Sequence, residues 1–176
     1  MNATFETPER VTKWGTAKGL KPKILLVDDD AGMRRVLFPM LVKEDFCVLT
    51  APNGARALEL ANVTKFDLVL LDFKKPVEDE WETFWHLSAR NPLLPVIVLT
   101  DRSDQFFRAL ASGAGALLEK PLNFTILFRT IRGLLEAPSL LQEPVKEHPP
   151  HFSGRLAAFH YVPSGPGVPQ KIWRTH

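Results

Sequence analysis

Five short apolar runs punctuate the chain, and they set its expected architecture. Strands are expected at about 23–28, 46–50, 66–72, 95–100 and 115–119. Most of these runs are continuous rather than alternating, as strands covered on both faces should be. Between them, apolar positions recur at helical spacing: Met33, Val36, Leu37, Met40 and Leu41; Ala55, Leu58 and Ala61; Trp81, Phe84 and Leu87; Phe106, Phe107 and Leu110. A last helix, about 122–136, carries Ile126, Leu127, Thr130, Ile131 and Leu134. The regular alternation is the βαβ rhythm of a doubly wound α/β sheet. Pro39 falls inside the first helix and should kink it or loosen its last turns, because it lacks a donor and crowds the preceding turn.

The polar residues that close these runs carry the candidate chemistry. Asp28 and Asp29 follow Ile24-Leu-Leu-Val27, Asp72 closes Leu68-Val-Leu-Leu71, Thr100 closes Val96-Ile-Val-Leu99, and Lys120 precedes Pro121. In an open parallel sheet, ligands bind outside the carboxyl ends of the strands, where strand order reverses. Four strand ends therefore deliver three carboxylates, a hydroxyl and an ammonium to one crevice. Such a set could hold a hard divalent cation and a phosphoryl group together. Taken singly, each residue has an ordinary explanation: an Asp after a strand often caps a helix, Thr suits strands, and Lys before Pro can simply face water. Their convergence is what argues for a site.

Composition narrows the picture without changing it. With 176 residues, 45% hydrophobic and 24% charged, the chain can form one domain with a sizeable core and some extra length. The net charge of +2 is unevenly spread: residues 1–22 and 137–176 each carry four basic and two acidic groups, so the body is mildly acidic. The last forty positions hold seven prolines and three glycines, which leaves no room for a helix-turn-helix output module. Within them, Phe152 to Val162 forms the one apolar patch, a candidate for docking on a partner or on the body. The expected organisation is a disordered N-terminal extension over 1–21, a domain over 22–137 and a Pro-rich disordered tail over 138–176. Cys47 has no partner for an internal disulfide and is expected in the core, in keeping with a cytoplasmic protein. No run is long enough to span a membrane, and the first 22 residues lack the apolar block of a secretory signal. Gly15 and Gly19 are too close together, and too early, for a phosphate-binding loop.

Four segments in order bear a family resemblance: Lys23-Ile-Leu-Leu-Val-Asp-Asp-Asp30, Phe66-Asp-Leu-Val-Leu-Leu-Asp72 with Pro76 after it, Leu94-Pro-Val-Ile-Val-Leu-Thr100, and Gly113-Ala-Gly-Ala-Leu-Leu-Glu-Lys-Pro121. Residues 22 to 137 resemble the receiver domain of bacterial two-component response regulators. The resemblance implies a flavodoxin-like, five-stranded parallel sheet in the order 2-1-3-4-5. It also implies a phosphoryl group passed from a histidine kinase or phosphotransfer protein onto Asp72, and Mg²⁺ held by Asp28, Asp29, Asp72 and the backbone carbonyl of Lys74. Thr100 and Lys120 would meet the phosphoryl group. The resemblance makes the chain a phosphoacceptor that catalyses only its own phosphorylation and dephosphorylation and signals by binding a downstream protein, with homodimer formation left open. A receiver-fold interaction scaffold that is not phosphorylated is the alternative.

Several positions depart from the family pattern. Lys75 stands where a methionine is usual, and Glu80 where a glycine is common. Asp101 replaces a small residue beside Thr100 and should repel a phosphoryl donor. Leu117 occupies the place of an aromatic switch residue, and Trp85 that of a polar surface residue on the third helix.

Overall fold

The structure is a computed structural model that describes residues 20–74, 78–101, 109, 111–136 and 160–162. In chain order the elements are β1 (Lys23–Val27), α1 (Ala31–Lys43), β2 (Cys47–Ala51), α2 (Gly54–Val63), β3 (Leu68–Phe73), α3 (Glu78–Arg90), β4 (Val96–Thr100), β5 (Ala116–Glu119), α4 (Phe124–Glu136) and β6 (His160–Val162). All strand pairs are parallel, and the sheet runs β2-β1-β3-β4-β5-β6. The five expected strands thus lie in the expected order. The sixth is an addition: three residues of the stretch assigned to a disordered tail pair with β5, Ala116 opposite His160. The remainder of 138–176, residues 1–19 and the expected helical positions Phe106, Phe107 and Leu110 lie outside the described residues.

The sheet has a core on each face because its central strands carry consecutive apolar residues, Ile24–Val27, Leu68–Leu71 and Val96–Leu99, whose side chains alternate between the two faces. Leu25, Val27, Val69, Leu71, Val96 and Val98 pack on one side with Trp81, Phe84 and Leu87 of α3 and Ala57 of α2. Ile24, Leu26, Leu68, Leu70, Ile97 and Leu99 pack on the other with Leu37 and Leu41 of α1 and Leu127 and Ile131 of α4. Each fully buried Leu or Ile contributes on the order of 2 kcal/mol in apolar transfer, so this two-sided burial drives the fold. β2 differs, since it is an edge strand with only its last residue buried. Cys47 is accordingly half-exposed rather than in the core, a correction to the sequence-based expectation.

Helix starts follow from short polar side chains. The Asp30 carboxylate accepts from the Gly32 N–H at 2.7 Å and Asn53 from the Arg56 N–H at 2.9 Å, which satisfies donors the first helical turn leaves open. α1 continues through Pro39 for four further residues. Asp45, at φ 68°, then turns the chain into β2, a conformation Asp tolerates better than most residues. Arg132 of α4 pairs with Glu44 at the end of α1, tying the two helices of that face together.

Candidate functional site

Register brings the acidic residues together. Val27 of β1 lies opposite Leu71 of β3, so Asp28 and Asp72 are cross-strand neighbours at the same end of the sheet. Asp72 is not the terminal residue of its strand, as expected from the sequence, but the penultimate one, paired with Leu99; Phe73 follows, paired with Thr100. Thr100 in turn lies opposite Glu119. Its carbonyl accepts from the Lys120 N–H at 2.7 Å, which carries the chain past β5 toward the same end of the sheet. The Lys120–Pro121 peptide bond is cis.

Asp28, Asp29 and Asp72 each offer a carboxylate oxygen, and these three atoms lie within 4.8 Å of one another. Asp28 and Asp72 are buried, whereas the Asp29 side chain is 65% exposed. The Lys120 ammonium stands 2.6 Å from Asp72 Oδ1, and the Lys74 ammonium stands 2.5 Å from Asp29 Oδ1 and 4.0 Å from Asp72 Oδ2. Asp28 Oδ1 accepts from the Asp30 N–H at 2.8 Å, while Asp28 Oδ2 is buried with no hydrogen-bond partner. Neither oxygen of Asp72 accepts a well-directed hydrogen bond, so the ammonium groups balance its charge mainly as point charges. The backbone of Asp28 is fixed from two sides: its N–H donates to the Ala51 carbonyl at 3.1 Å, and its carbonyl accepts from Arg34 Nη1 at 2.5 Å.

Burial of Asp28 and Asp72 and the crowding of like charges perturb these groups. Burial, and then repulsion from Asp72, pushes the Asp28 carboxyl from 3.8 to about 6. The Lys74 hydrogen bond holds Asp29 below the usual carboxylate range, and the same contact raises Lys74. Glu80, in the first turn of α3, is pushed up by burial, partly offset by hydrogen bonds from its own N–H and that of Lys74. Its Oε2 is buried without a partner. A fourth carboxyl therefore turns back toward the Lys74 backbone.

The six residues expected from the sequence, Asp28, Asp29, Asp72, Lys74, Thr100 and Lys120, all lie at this end of the sheet. Sequence reading assigned Lys74 only a carbonyl role; the placement of its ammonium among the carboxylates was not anticipated. Nor was Arg34, whose only signal is a basic residue in the first turn of a helix that starts beside the acidic pair. Asp101 is exposed just beyond β4, and Leu117 is fully buried among the core residues of β3 and β4. Trp85 is half-buried, its ring 5.2 Å from that of Phe84, so it is a partly covered surface aromatic. Lys75 and Pro76 lie outside the described residues.

The sequence profile of the response regulator receiver domain matches residues 24–132. The chain belongs to that family. Similar curated proteins include the transcriptional regulatory protein ZraR of Klebsiella oxytoca, 38% identical over 133 residues, and the transcriptional regulatory protein CpxR of Escherichia coli K12, 38% identical over 115. These alignments take in 74% and 64% of this chain but only 30% and 49% of the relatives, so the chain spans at most about half the length of either. Among solved structures, a CheY-like receiver domain protein from Methanospirillum hungatei superposes with a TM-score of 0.62 at 26% identity, covering 66% of this chain and 94% of the other. The response regulator TrrA of Thermotoga maritima, solved in complex with Mg²⁺ and BeF, gives 0.59 at 28% identity, covering 64% and 98%. No helix among the described residues is long and apolar enough to cross a membrane.

Proposed function

We propose that this receiver domain is a cytoplasmic phosphoacceptor in a two-component phosphorelay. Asp72 takes a phosphoryl group from the phosphohistidine of a histidine kinase or phosphotransfer protein, and the modified domain acts by binding a downstream protein. The observation that carries this reading is a buried carboxylate, Asp72, flanked by two further carboxylates and facing an ammonium at 2.6 Å. A lone structural ion pair has no need of the two extra acidic groups.

The donor set suits a hard cation such as Mg²⁺, which takes oxygen ligands and keeps several waters. The buried, unpartnered Asp28 Oδ2 is the kind of orphan acceptor that a metal or a metal-bound water would satisfy. Asp28, Asp29, Asp72 and the Lys74 carbonyl would hold the ion, which when bound neutralises charge on the phosphoryl oxygens.

The chain's own residues supply the rest. One Asp72 oxygen attacks phosphorus, the P–N bond to the donor imidazole breaks, and its electron pair stays on the ring nitrogen, which is protonated from water. Phosphoryl transfer calls mainly for positioning and charge neutralisation, since the transition state spreads charge over its equatorial oxygens. Lys120 provides the positive charge beside Asp72, and Thr100 provides a hydroxyl at the adjacent strand end. The chain acts on no separate substrate.

Incubation with Mg²⁺ and acetyl phosphate followed by intact-mass measurement tests this reading. One acid-labile adduct is expected, dependent on Mg²⁺ and lost in Asp72→Asn. An adduct that persists in Asp72→Asn overturns the assignment. No adduct on the natural chain supports the interaction-scaffold alternative.

A further inference from the structure

The carboxylate cluster already contains a cation of its own. Lys74 Nζ lies 2.5 Å from Asp29 Oδ1 and 4.0 Å from Asp72 Oδ2, while the three carboxylate oxygens of Asp28, Asp29 and Asp72 lie within 4.8 Å of one another. We propose that the Lys74 ammonium is a built-in counter-ion that occupies the acidic site until a divalent cation displaces it, so that Lys74 sets the cation concentration at which the site loads. This inference rests on the reading that these carboxylates bind a divalent cation.

Charge counting favours exchange over co-occupancy. Three carboxylates with Lys74 and Lys120 leave one net negative charge. Adding a divalent ion while Lys74 stays makes the site positive and sets an ammonium against the incoming ion. Withdrawing Lys74 lets the ion neutralise the remaining two negative charges. Such withdrawal is cheap: the Lys74 and Asp29 side chains are 38% and 65% exposed, and an ion pair this accessible to water is weak. Lys120 is not the exchangeable partner, because its side chain is 18% exposed and its contact is the buried Asp72. Lysine's flexible stem also allows its head group to leave while the Lys74 backbone stays in place, so the carbonyl remains available as a ligand.

The test is calorimetric titration of the full chain with MgCl2 at constant ionic strength, comparing the natural protein with Lys74→Met, Lys74→Arg and, as a distant exposed lysine, Lys43→Met. Lys74→Met should bind Mg²⁺ about fivefold more tightly, the factor expected from removing an exposed ion pair that must otherwise be broken. Lys74→Arg should stay near the natural affinity, and Lys43→Met should change it little. In a parallel NMR titration, the side-chain resonances of Lys74 should move with Mg²⁺ over the same concentration range as the calorimetric isotherm. Equal affinities for the natural chain and Lys74→Met overturn the counter-ion role but leave the metal site standing. Tight binding by Lys74→Arg does the same. Absence of Mg²⁺ binding by every variant, with circular dichroism showing them folded, overturns the metal reading itself.

Discussion

Lys120, the residue just after β5, and Asp72 of β3 belong to strands that do not pair with each other, yet their charged groups are 2.6 Å apart across the end of β4. The pair therefore closes the sheet's acidic end as well as equipping it. Removing one partner of a buried pair leaves the other uncompensated, which is costly. Lys120→Ala should lower metal-free stability at neutral pH by about 1–3 kcal/mol, with the partial exposure of the lysine keeping the loss below that of a fully buried pair. Urea unfolding should show the loss, and Asp72→Asn should cancel much of it in the double variant. Equal losses in both Asp72 backgrounds would mean that the contact carries no energy.

Asp28 predicts a pH dependence of the opposite sense to ordinary acid denaturation. Its carboxyl is raised from 3.8 to about 6 in the folded chain, so between those values the folded state binds more protons than the unfolded one. Stability from this group is present in full below about 4 and is lost as pH rises through about 6. In metal-free buffer, Asp28→Asn should therefore stabilise the protein relative to the natural chain by about 1–3 kcal/mol more at pH 7 than at pH 4. Thermal or urea unfolding at the two values measures this, and a difference that does not change with pH would contradict it.

Asp101 stands exposed at the end of β4, next to Thr100. A carboxylate about 6 Å from an incoming phosphodonor charge repels it by about 0.7 kcal/mol in water and about 2.8 at an effective dielectric near 20. Asp101→Ala should thus accept phosphoryl groups from acetyl phosphate at least about threefold faster, with the gap narrowing as salt is added. Equal rates would show that Asp101 does not face the donor's path.

Gly54 opens α2 where that helix meets α3. A Cβ there would lie 1.8 Å from Thr83 Oγ1, a hydroxyl that donates to the Asp79 carbonyl at 3.0 Å. Gly54→Ala should destabilise the fold by about 1–3 kcal/mol, the usual cost of overpacking. Thr83→Ala in the same chain should recover part of it, since the nearest clashing atom is removed. Calorimetric melting of the single and double variants checks both statements.

How much of this was legible in the sequence depends on how local each signal is. Leu68 to Leu71 announces a doubly covered strand through composition alone, and β3 is buried at every position. Asp28 and Asp72 could be placed together because a parallel sheet sends successive strand ends to one edge. Cys47 was misjudged because an edge strand and a central strand can carry similar apolar runs, and strand order, not composition, decides their exposure. The Lys74 ammonium was out of reach for another reason: its direction depends on the chain path after β3, where no periodic pattern constrains the side chains. β6 lies within the apolar patch Phe152 to Val162 that was a candidate for docking, but three residues in a stretch dense with proline carry no periodic signal of a strand.

The pairing of His160–Val162 with β5 bears on how the domain behaves when cut down. An uncovered strand edge offers a row of free backbone donors and acceptors, a template for joining with another molecule. A fragment limited to residues 24–132, the span of the family match, would lack β6 and leave the outer side of β5 open. Self-association of that fragment would then report a severed edge rather than a property of the longer chain, so colloidal behaviour should be compared with and without the segment that includes 160–162.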